Sequence, residues 1–327
     1  MRRLILLIGL MFVACYCSQG QGDGPRSFLL APKGVSGISA KWLNLSQNLI
    51  PAGTALIPNA DIKVDVFPTT LFHTFSLGGR IAQAYFMFNP GSATAGTSVG
   101  PPIGPIPGNE LSATGFSDGF VGFKLGLYGA PALNIFEFAK SPMQFSVFGD
   151  FRFWYSGSYD AGKLFNLGTN RNIIQIGVPM AIPLNQNRAR ATWLEVSPAV
   201  LFFTANDEPA RNPLSMGTVD KVSQTPLLSI ENHLTHNFTP KLWAGGNLRF
   251  QYGGESKADG VSDDNPISVI GGGAVVGYQV LPILNVYADY SGVLISDQAK
   301  GQMFRLSATL TYASMKKAKA ELEAKKH

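Results

Sequence analysis

The sequence has few charged residues, no long apolar run and no cysteine outside its first segment. Charged side chains make up 14% of the 327 residues, whereas about 25% is usual in soluble domains. Cys15 and Cys17 both lie near the N-terminus, so the body of the chain has no disulfide or thiol chemistry. Beyond the N-terminus no stretch of about 18 uninterrupted apolar residues occurs, which excludes a helical membrane protein.

The net charge of +5 does not indicate an acidic partner. Two arginines lie at the extreme N-terminus, and the tail after Tyr312 carries five lysines against two glutamates. Without these two ends the body is neutral, so we predict no nucleic-acid partner.

Residues 1–20 have the features of a signal peptide. Two arginines precede an apolar run, Leu4 to Cys15, which is too short for a stable transmembrane helix. Ser18 and Gly20 supply the small residues that a cleavage site directly after Gly20 requires. Lipidation at Cys15 is an alternative processing route, although Phe12 fits a lipobox poorly. We favour ordinary cleavage near Gly20, and both routes indicate export.

The stretch from Asp61 to Asn89 predicts a long hairpin. In its first arm the apolar residues Ile62, Val64 and Val66 alternate with Lys63 and Asp65. Such alternation is typical of a strand with two different faces, and Gly78-Gly79 supplies the positive φ angles of a two-residue turn. Soluble strands average about 5–6 residues, whereas strands of a bilayer-spanning barrel need about 9–11. The long arms therefore indicate a membrane barrel.

Similar patterns along the chain predict about twelve strands. Besides the hairpin arms, they cover 35–44, 119–128, 143–155, 172–184, 191–204, 224–237, 241–253, 266–280, 283–295 and 302–313. Short turns alternate with long polar loops, except at Gly129 to Pro142, which is long where a short turn is expected. Such alternation is typical of a bacterial outer-membrane barrel and not of a β-sandwich. The predicted fold is all-β, a single up-and-down antiparallel transmembrane β-barrel with periplasmic N- and C-termini. The predicted organisation is a signal peptide (1–20), a periplasmic lead-in (21–34), the barrel (35–313) and a charged tail (314–327).

Three local features are predicted between the strands. Pro90 to Phe116 contains GPPIGPIPG, which cannot pair in a sheet and indicates a long surface loop, with a constriction loop inside the pore as the alternative. A short helix is predicted around Asn134 to Lys140. Pro68 interrupts the first hairpin arm, so we expect a bulge or bend there.

The last strand alternates and ends in the aromatic residue Tyr312, which resembles the C-terminal signal that outer-membrane proteins present to the barrel-assembly machinery. It departs from that pattern because SMKKAKAELEAKKH follows the aromatic residue. This tail favours helix but has almost no apolar face, so we predict a solvated extension of a monomeric barrel in outer-membrane lipid.

The chain also resembles a known family from about Asp23 to Tyr312, most specifically in its first hundred residues. The lead-in contains GPR (Gly24 to Arg26) and APKG (Ala31 to Gly34), and the hairpin contains NADIKV (Asn59 to Val64) and FSLGGR (Phe75 to Arg80). In these motifs the sequence resembles bacterial proteins of the meta-pathway phenol-degradation (MetA-type) transporter family. The resemblance implies an outer-membrane barrel associated with uptake of aromatic or other hydrophobic compounds.

If the apolar face of each strand meets lipid, the alternate residues line the lumen. The inward set is then nearly balanced, with basic residues Lys41, Lys63, Lys124, Arg152, Arg249 and Arg305 and acidic residues Asp65, Asp150, Glu195, Glu231 and Asp289. A charge-selective pore would carry mainly one sign, so we predict interior ion pairs, with Asp150 and Arg152 as the best candidates. A ligand or gating role for these residues is the alternative.

Aromatic residues share the predicted lumen, namely Trp154, Trp193, Trp243 and Tyr287. Rings beside polar groups suit a flat, weakly polar molecule, although they could also simply fill a small barrel. We predict a channel for small hydrophobic or aromatic solutes, by passive or gated diffusion. A structural barrel with a plugged lumen is the runner-up.

An outer-membrane hydrolase is the third hypothesis. It would need a histidine beside a serine or acid, and none of the four histidines lies in a nucleophile motif. His233 and His236 are three residues apart on a strand and point to opposite faces, which argues against a metal pair. We therefore predict no enzyme activity, no metal and no cofactor.

Overall fold

The structure is a computed structural model that describes residues 22–51, 53–55, 57, 60–96, 111–163, 165–209 and 219–324. The predicted signal peptide and the GPPIGPIPG run lie outside the described residues. The strands are β1 (Val35–Gln47), β2 (Asp61–Val66), β3 (Thr69–Leu77), β4 (Arg80–Gly96), β5 (Leu111–Tyr128), β6 (Ser146–Tyr155), β7 (Ile173–Gly177), β8 (Met180–Pro183), β9 (Thr192–Phe203), β10 (Val222–Gln224), β11 (Leu227–Asn237), β12 (Leu242–Gly253), β13 (Ser256–Ala258), β14 (Val261–Ser262), β15 (Ile267–Leu281), β16 (Leu284–Ser296) and β17 (Gly301–Ala313).

These strands form a closed antiparallel barrel with twelve strands in its wall. β2 and β3 pair with the same two neighbours, β1 and β4, and act as one wall strand; β7 and β8 do the same between β6 and β9. The first and last strands close the wall from Val35↔Ala313 to Gln47↔Gly301. The prediction of an up-and-down barrel with twelve strands is confirmed, because each wall strand pairs with its neighbours in sequence.

The barrel has two different ends, which we call the turn end and the loop end. The turn end carries the short connections, such as Gly78-Gly79, and both the start of β1 and the end of β17. The connection from β5 to β6 is the exception, because it is long and lies at the turn end. Gly78 and Gly79 have φ angles of 57° and 76°, as the predicted two-residue turn requires. The loop end carries the long connections, and there β10, β13 and β14 form a separate small sheet.

Two short helices lie at the turn end. Helix α1 (Ile135–Lys140) is the predicted one. Asn134 Oδ1 accepts the backbone N–H of Glu137, and the Glu137 carboxylate accepts the backbone N–H of Asn134. This arrangement is a capping box. Helix α2 (Met315–Ala324) is the tail, where Glu321 lies 2.9 Å from Lys33. Within the described residues, neither helix is long and apolar enough to cross a membrane.

The outer face of the wall is apolar, as the alternation predicts. In β6 and just before it, Phe145, Phe151 and Phe153 are exposed, whereas Phe148, Asp150 and Arg152 are buried on the inner face. An exposed apolar band suits contact with lipid tails.

The prediction that Lys63 and Asp65 of β2 face the lumen is wrong. Ile62, Val64 and Val66 are fully buried on the inner face, and Lys63 and Asp65 point outward. Asp65 accepts hydrogen bonds from Trp42 and Asn44, which also lie on the outer face. The reason is position along the barrel: β2 lies at the loop end, where the interior is an apolar cluster and the outer surface is polar.

The bulge lies in a different strand from the predicted one. Pairing partners of β1 and β4 continue in the same register across Pro68, so the proline interrupts hydrogen bonding without adding a residue. The register shifts instead between β4 and β5, where Met87 pairs with Phe120 and Asn89 with Ser117. The extra residue is in β5, and it turns both Ser117 and Asp118 into the interior.

The predicted loop from Pro90 to Phe116 is also shorter than expected. β4 continues to Gly96 and β5 begins at Leu111, with pairs from Pro90↔Phe116 to Ala95↔Leu111. Five of the six residues after Pro90 are Gly, Ala or Ser, which have little strand propensity. The sequence pattern therefore underestimates the length of these strands.

Candidate functional site: the barrel lumen

The interior of the barrel carries a network of paired charges. Three opposite-charge pairs are formed by residues that face each other on adjacent strands: Lys124 and Asp150, Glu231 and Arg249, and Asp289 and Arg305. In the last pair Arg305 Nε lies 2.6 Å from Asp289 Oδ2. Arg152 Nε donates to Asp150 Oδ2 at 2.9 Å. The structure thus brings the predicted inward charges together, apart from Lys63 and Asp65.

An N-terminal stretch, Gly22 to Phe28, lies inside this network, and we call it the lumen segment. The sequence predicts a periplasmic lead-in here, but the backbone and side chains of this stretch form hydrogen bonds with six wall strands. Arg152 binds the Asp23 carboxylate with both terminal nitrogens, one of them at 2.9 Å. This two-point contact is the strongest geometry for an arginine and a carboxylate.

Glu195 holds the next part of the lumen segment. Its two oxygens accept the backbone N–H groups of Arg26 at 2.7 Å and Phe28 at 3.0 Å. The side chain of Glu195 is completely buried, so these donors and its charged neighbours compensate for the loss of water. The Arg26 guanidinium stacks over Trp243, with 4.1 Å between its Cζ and the ring centroid.

Four more wall charges bind the backbone of the lumen segment. Lys41 Nζ donates to the Asp23 carbonyl at 2.8 Å, Lys124 Nζ to that of Ser27 at 3.2 Å, and Arg305 Nη1 to that of Gly22 at 2.8 Å. Glu231 accepts the Asp23 N–H at 3.2 Å. The balanced charges of the wall therefore serve two purposes, since they pair with each other and with this segment.

The electrostatics around Asp23 favour its charged form. Burial opposes ionisation, but Arg152, Lys41 and Lys124 hold the pKa of this carboxyl below its usual value. The lumen segment also contains Arg26, so its two charged residues add one acidic and one basic charge and leave the near balance of the wall charges unchanged.

The GPR motif has a direct structural use. Gly24 has a φ of 85°, and a Cβ there would lie 2.4 Å from the Tyr287 hydroxyl oxygen. Only glycine satisfies both conditions. Arg26, two residues later, reaches Trp243 and donates a hydrogen bond to Asn237. This motif was the sequence signal that could have placed the segment inside the barrel.

A cavity of about 120 Å³ lies between the lumen segment and the loop end. One wall is aromatic: the rings of Phe120 and Trp154 meet edge to face with centroids 4.6 Å apart, and Trp154 Nε1 donates to Gln175 at 3.0 Å. The cavity also meets Asp23, Arg152, Glu231 and Arg249. Its combination of rings and polar groups fits the prediction for a weakly polar, flat molecule.

The loop end above the cavity is closed by apolar packing. Leu49, in the loop after β1, is completely buried in a cluster with Ile173, Leu201 and Leu227. Leu167, in the loop after β6, is equally buried in a second cluster with Leu43 and Val64. Both loops fold into the mouth of the barrel.

The histidines contribute little to the lumen. His233 is buried on the inner face and its Nδ1 lies 2.8 Å from Asn247 Oδ1. His73, whose face the sequence left unassigned, lies on the outer wall beside Ser36. Among the described residues, no group of three metal-ligating side chains occurs.

With the lumen described, comparison with known proteins identifies the family. Residues 51–302 match the family described as "Putative MetA-pathway of phenol degradation". The chain belongs to this family. No curated protein matches the sequence.

The chain is also similar to solved structures of bacterial channels and transporters. The COG4313 outer membrane channel from Pseudomonas putida F1 has a TM-score of 0.68 and 13% identity, covering 89% of this chain and 100% of that one. The toluene transporter TodX from Pseudomonas putida has a TM-score of 0.40 and 9% identity, covering 90% and 94%. The first comparison shows that this member of the family has the fold of a bacterial outer-membrane barrel.

Proposed function

We propose that this protein is an outer-membrane channel for small hydrophobic or aromatic solutes, which cross by passive or gated diffusion. The observation that carries the proposal is the cavity inside the barrel. Its volume of about 120 Å³ is similar to that of an apolar protein cavity of about 150 Å³ that binds benzene. The edge-to-face pair Phe120 and Trp154 offers one surface for a ring.

Family membership and the neighbouring channel structures agree with this function. The COG4313 protein is described as a channel, and TodX as a toluene transporter. The turn end, with both ends of the barrel wall, is assigned to the periplasm, and the β17 strand to recognition by the barrel-assembly machinery. We assign the chain no catalytic role, and we propose that it acts as a monomer.

A plugged structural barrel is the second candidate, and the lumen segment favours it. Seven consecutive residues occupy the turn-end half of the lumen and bind at least six wall side chains. A barrel that is permanently filled in this way would stabilise itself and carry no solute.

Uptake by intact cells separates the two candidates. A deletion strain that expresses the protein should take up radiolabelled benzene faster than the same strain with an empty vector, because lipopolysaccharide slows the direct route. Equal uptake by the two strains, with folded protein present in the outer membrane, would favour the structural barrel.

A further inference from the structure

Arg249 on β12 lines the cavity with a guanidinium that the protein does not engage. Its Nε is buried and donates no hydrogen bond to any residue that the structure describes. Glu231 faces Arg249 from β11, but both Glu231 oxygens are directed elsewhere. Oε2 accepts the Asp23 N–H at 3.2 Å, and Oε1 lies 3.9 Å from His233 Nε2. The guanidinium is therefore available to a molecule in the cavity.

Arg249 differs in this respect from the other basic side chains described inside the barrel. Each of the others donates at least one hydrogen bond through its side chain, namely Arg26, Lys41, Lys124, Arg152, Arg171 and Arg305. An inward-facing charge without such a contact is costly in a folded protein. A bound ligand of opposite charge would remove that cost.

The lumen also has one positive charge in excess. With Lys63 and Asp65 on the outer face, the inner wall and the lumen segment carry six basic and five acidic residues. The basic residues are Arg26, Lys41, Lys124, Arg152, Arg249 and Arg305, and the acidic residues are Asp23, Asp150, Glu195, Glu231 and Asp289. Buried Asp118 and Arg171 at the loop end add one charge of each sign. This excess suits a ligand with a single negative charge.

The wall around Arg249 offers further hydrogen-bond donors. Gln251 lies two residues further along the same face of β12, and Ser229 faces Gln251 from β11. Both side chains line the same cavity as Arg249. A guanidinium can bind a carboxylate through two parallel N–H groups, and an amide or a hydroxyl can donate to the same oxygens. This polar patch therefore suits a carboxylate.

Another side of the cavity suits an aromatic ring. Phe120 and Trp154 meet edge to face there, and Ile173 and Leu201 extend the apolar surface. In the order of the wall, the combined strand β7/β8, then β9 and β11, separate β6 from β12. A ligand that contacts both sides of a cavity of about 120 Å³ must be small, with its ring close to its charge.

We propose that the solutes of this channel are small aromatic carboxylates, which place the ring against Phe120 and Trp154 and the carboxylate on Arg249. This inference rests on the proposed channel function and specifies its solute. Benzoate, with one ring and one carboxylate, represents the class. Its negative charge matches the positive excess of the lumen, and its ring matches the aromatic wall.

The unmodified protein tests the solute class without any substitution. Isothermal titration calorimetry of the full mature chain in detergent at pH 7.5 compares benzoate with benzyl alcohol, which lacks the charge, and with acetate, which lacks the ring. Benzoate should bind at least about tenfold more tightly than either, the difference expected from one charge-assisted hydrogen bond. Binding of benzyl alcohol as tight as that of benzoate would overturn the proposal.

Arg249→Met tests the proposed carboxylate contact. The variant should bind benzoate at least about tenfold less tightly and should bind benzyl alcohol as before. Lys241→Met is the matched control, because it removes the same charge from an exposed position directly before β12. Benzoate should raise the urea midpoint of the unmodified protein and of Lys241→Met, but not that of Arg249→Met. Equal benzoate affinity in the two variants would mean that Arg249 does not bind the carboxylate.

Uptake by intact cells distinguishes failure of the solute class from failure of the channel. Radiolabelled benzene and benzoate that both enter no faster than in empty-vector cells would overturn the channel and the solute class together. Faster benzene uptake, with benzoate bound no more tightly than benzyl alcohol, would overturn the solute class and leave the channel function intact. Heat-modifiable migration on gels checks that each variant is folded.

Discussion

Arg152 on β6 binds Asp23 of the lumen segment through both of its terminal guanidinium nitrogens, and Arg152 Nη1 lies 2.9 Å from Asp23 Oδ1. The same guanidinium donates through Nε to Asp150 on its own strand. One buried cation therefore links the wall of the barrel to the chain that fills it. Loss of this link should release the segment before it unfolds the wall.

Asp23→Asn should loosen the lumen segment and raise ion conductance. Arg152 keeps Asp150 as a partner but loses its two-point contact with Asp23, and removing one partner of a buried ion pair costs up to about 3–5 kcal/mol. Single-channel recordings in planar bilayers should show larger or more frequent openings than the unmodified protein. Asp207→Asn is the control, since the Asp207–Lys221 pair is exposed; identical recordings for all three proteins would contradict the prediction.

Gly24→Ala should also loosen the lumen segment and raise ion conductance, in this case for a steric reason. The new Cβ would lie 2.4 Å from the Tyr287 hydroxyl oxygen, at a φ of 85°. Gly34 also has a positive φ, 78°, but nothing lies within 4 Å of its Cβ position. Gly34→Ala therefore carries the backbone strain without the collision. Only Gly24→Ala should increase conductance, and equal conductance would show that close approach at Gly24 is unimportant.

The sequence predicts the wall of this barrel far better than its contents. Alternation around Phe151 and Phe153 gives the correct outer face, and Gly78-Gly79 gives a correct turn. The same kind of alternation fails in β2, because a period of two residues does not say which face is apolar. That depends on height along the barrel: in the lipid band the outer face is apolar, whereas at the loop end Val64 packs inside.

The lumen segment could not be placed from strand patterns. Its contacts join residues that are far apart in sequence, such as Asp23 to Arg152 and Gly22 to Arg305. Counting charges on the strands alone gave a nearly balanced lumen and suggested ion pairs, which is correct for Asp289 and Arg305. The count did not include Asp23, because a short polar stretch before the first strand has no periodicity to interpret.

Asp289→Ala should destabilise the wall without opening the lumen segment. Arg305 Nε lies 2.6 Å from Asp289 Oδ2, and both side chains are almost fully buried. The unpaired Arg305 should lower the free energy of unfolding by about 3–5 kcal/mol. Urea unfolding in detergent, followed by tryptophan fluorescence, measures this change. The double variant Asp289→Ala/Arg305→Met should recover most of the loss, and failure to recover it would mean that the pair acts mainly through other neighbours.

Trp154→Ala should change which solutes the cavity accepts. Trp154 forms the aromatic wall with Phe120, and its ring packs beside the apolar cluster under the loop end. The ring is partly buried, so removing it should cost up to about 3–5 kcal/mol and enlarge the cavity. Uptake of radiolabelled naphthalene should therefore rise relative to benzene in cells that express the variant. Trp42→Ala is the matched control, because Trp42 lies on the outer face beside Asp65, and it should leave the ratio of the two uptake rates unchanged. An unchanged ratio in Trp154→Ala would mean that the solute does not contact this ring.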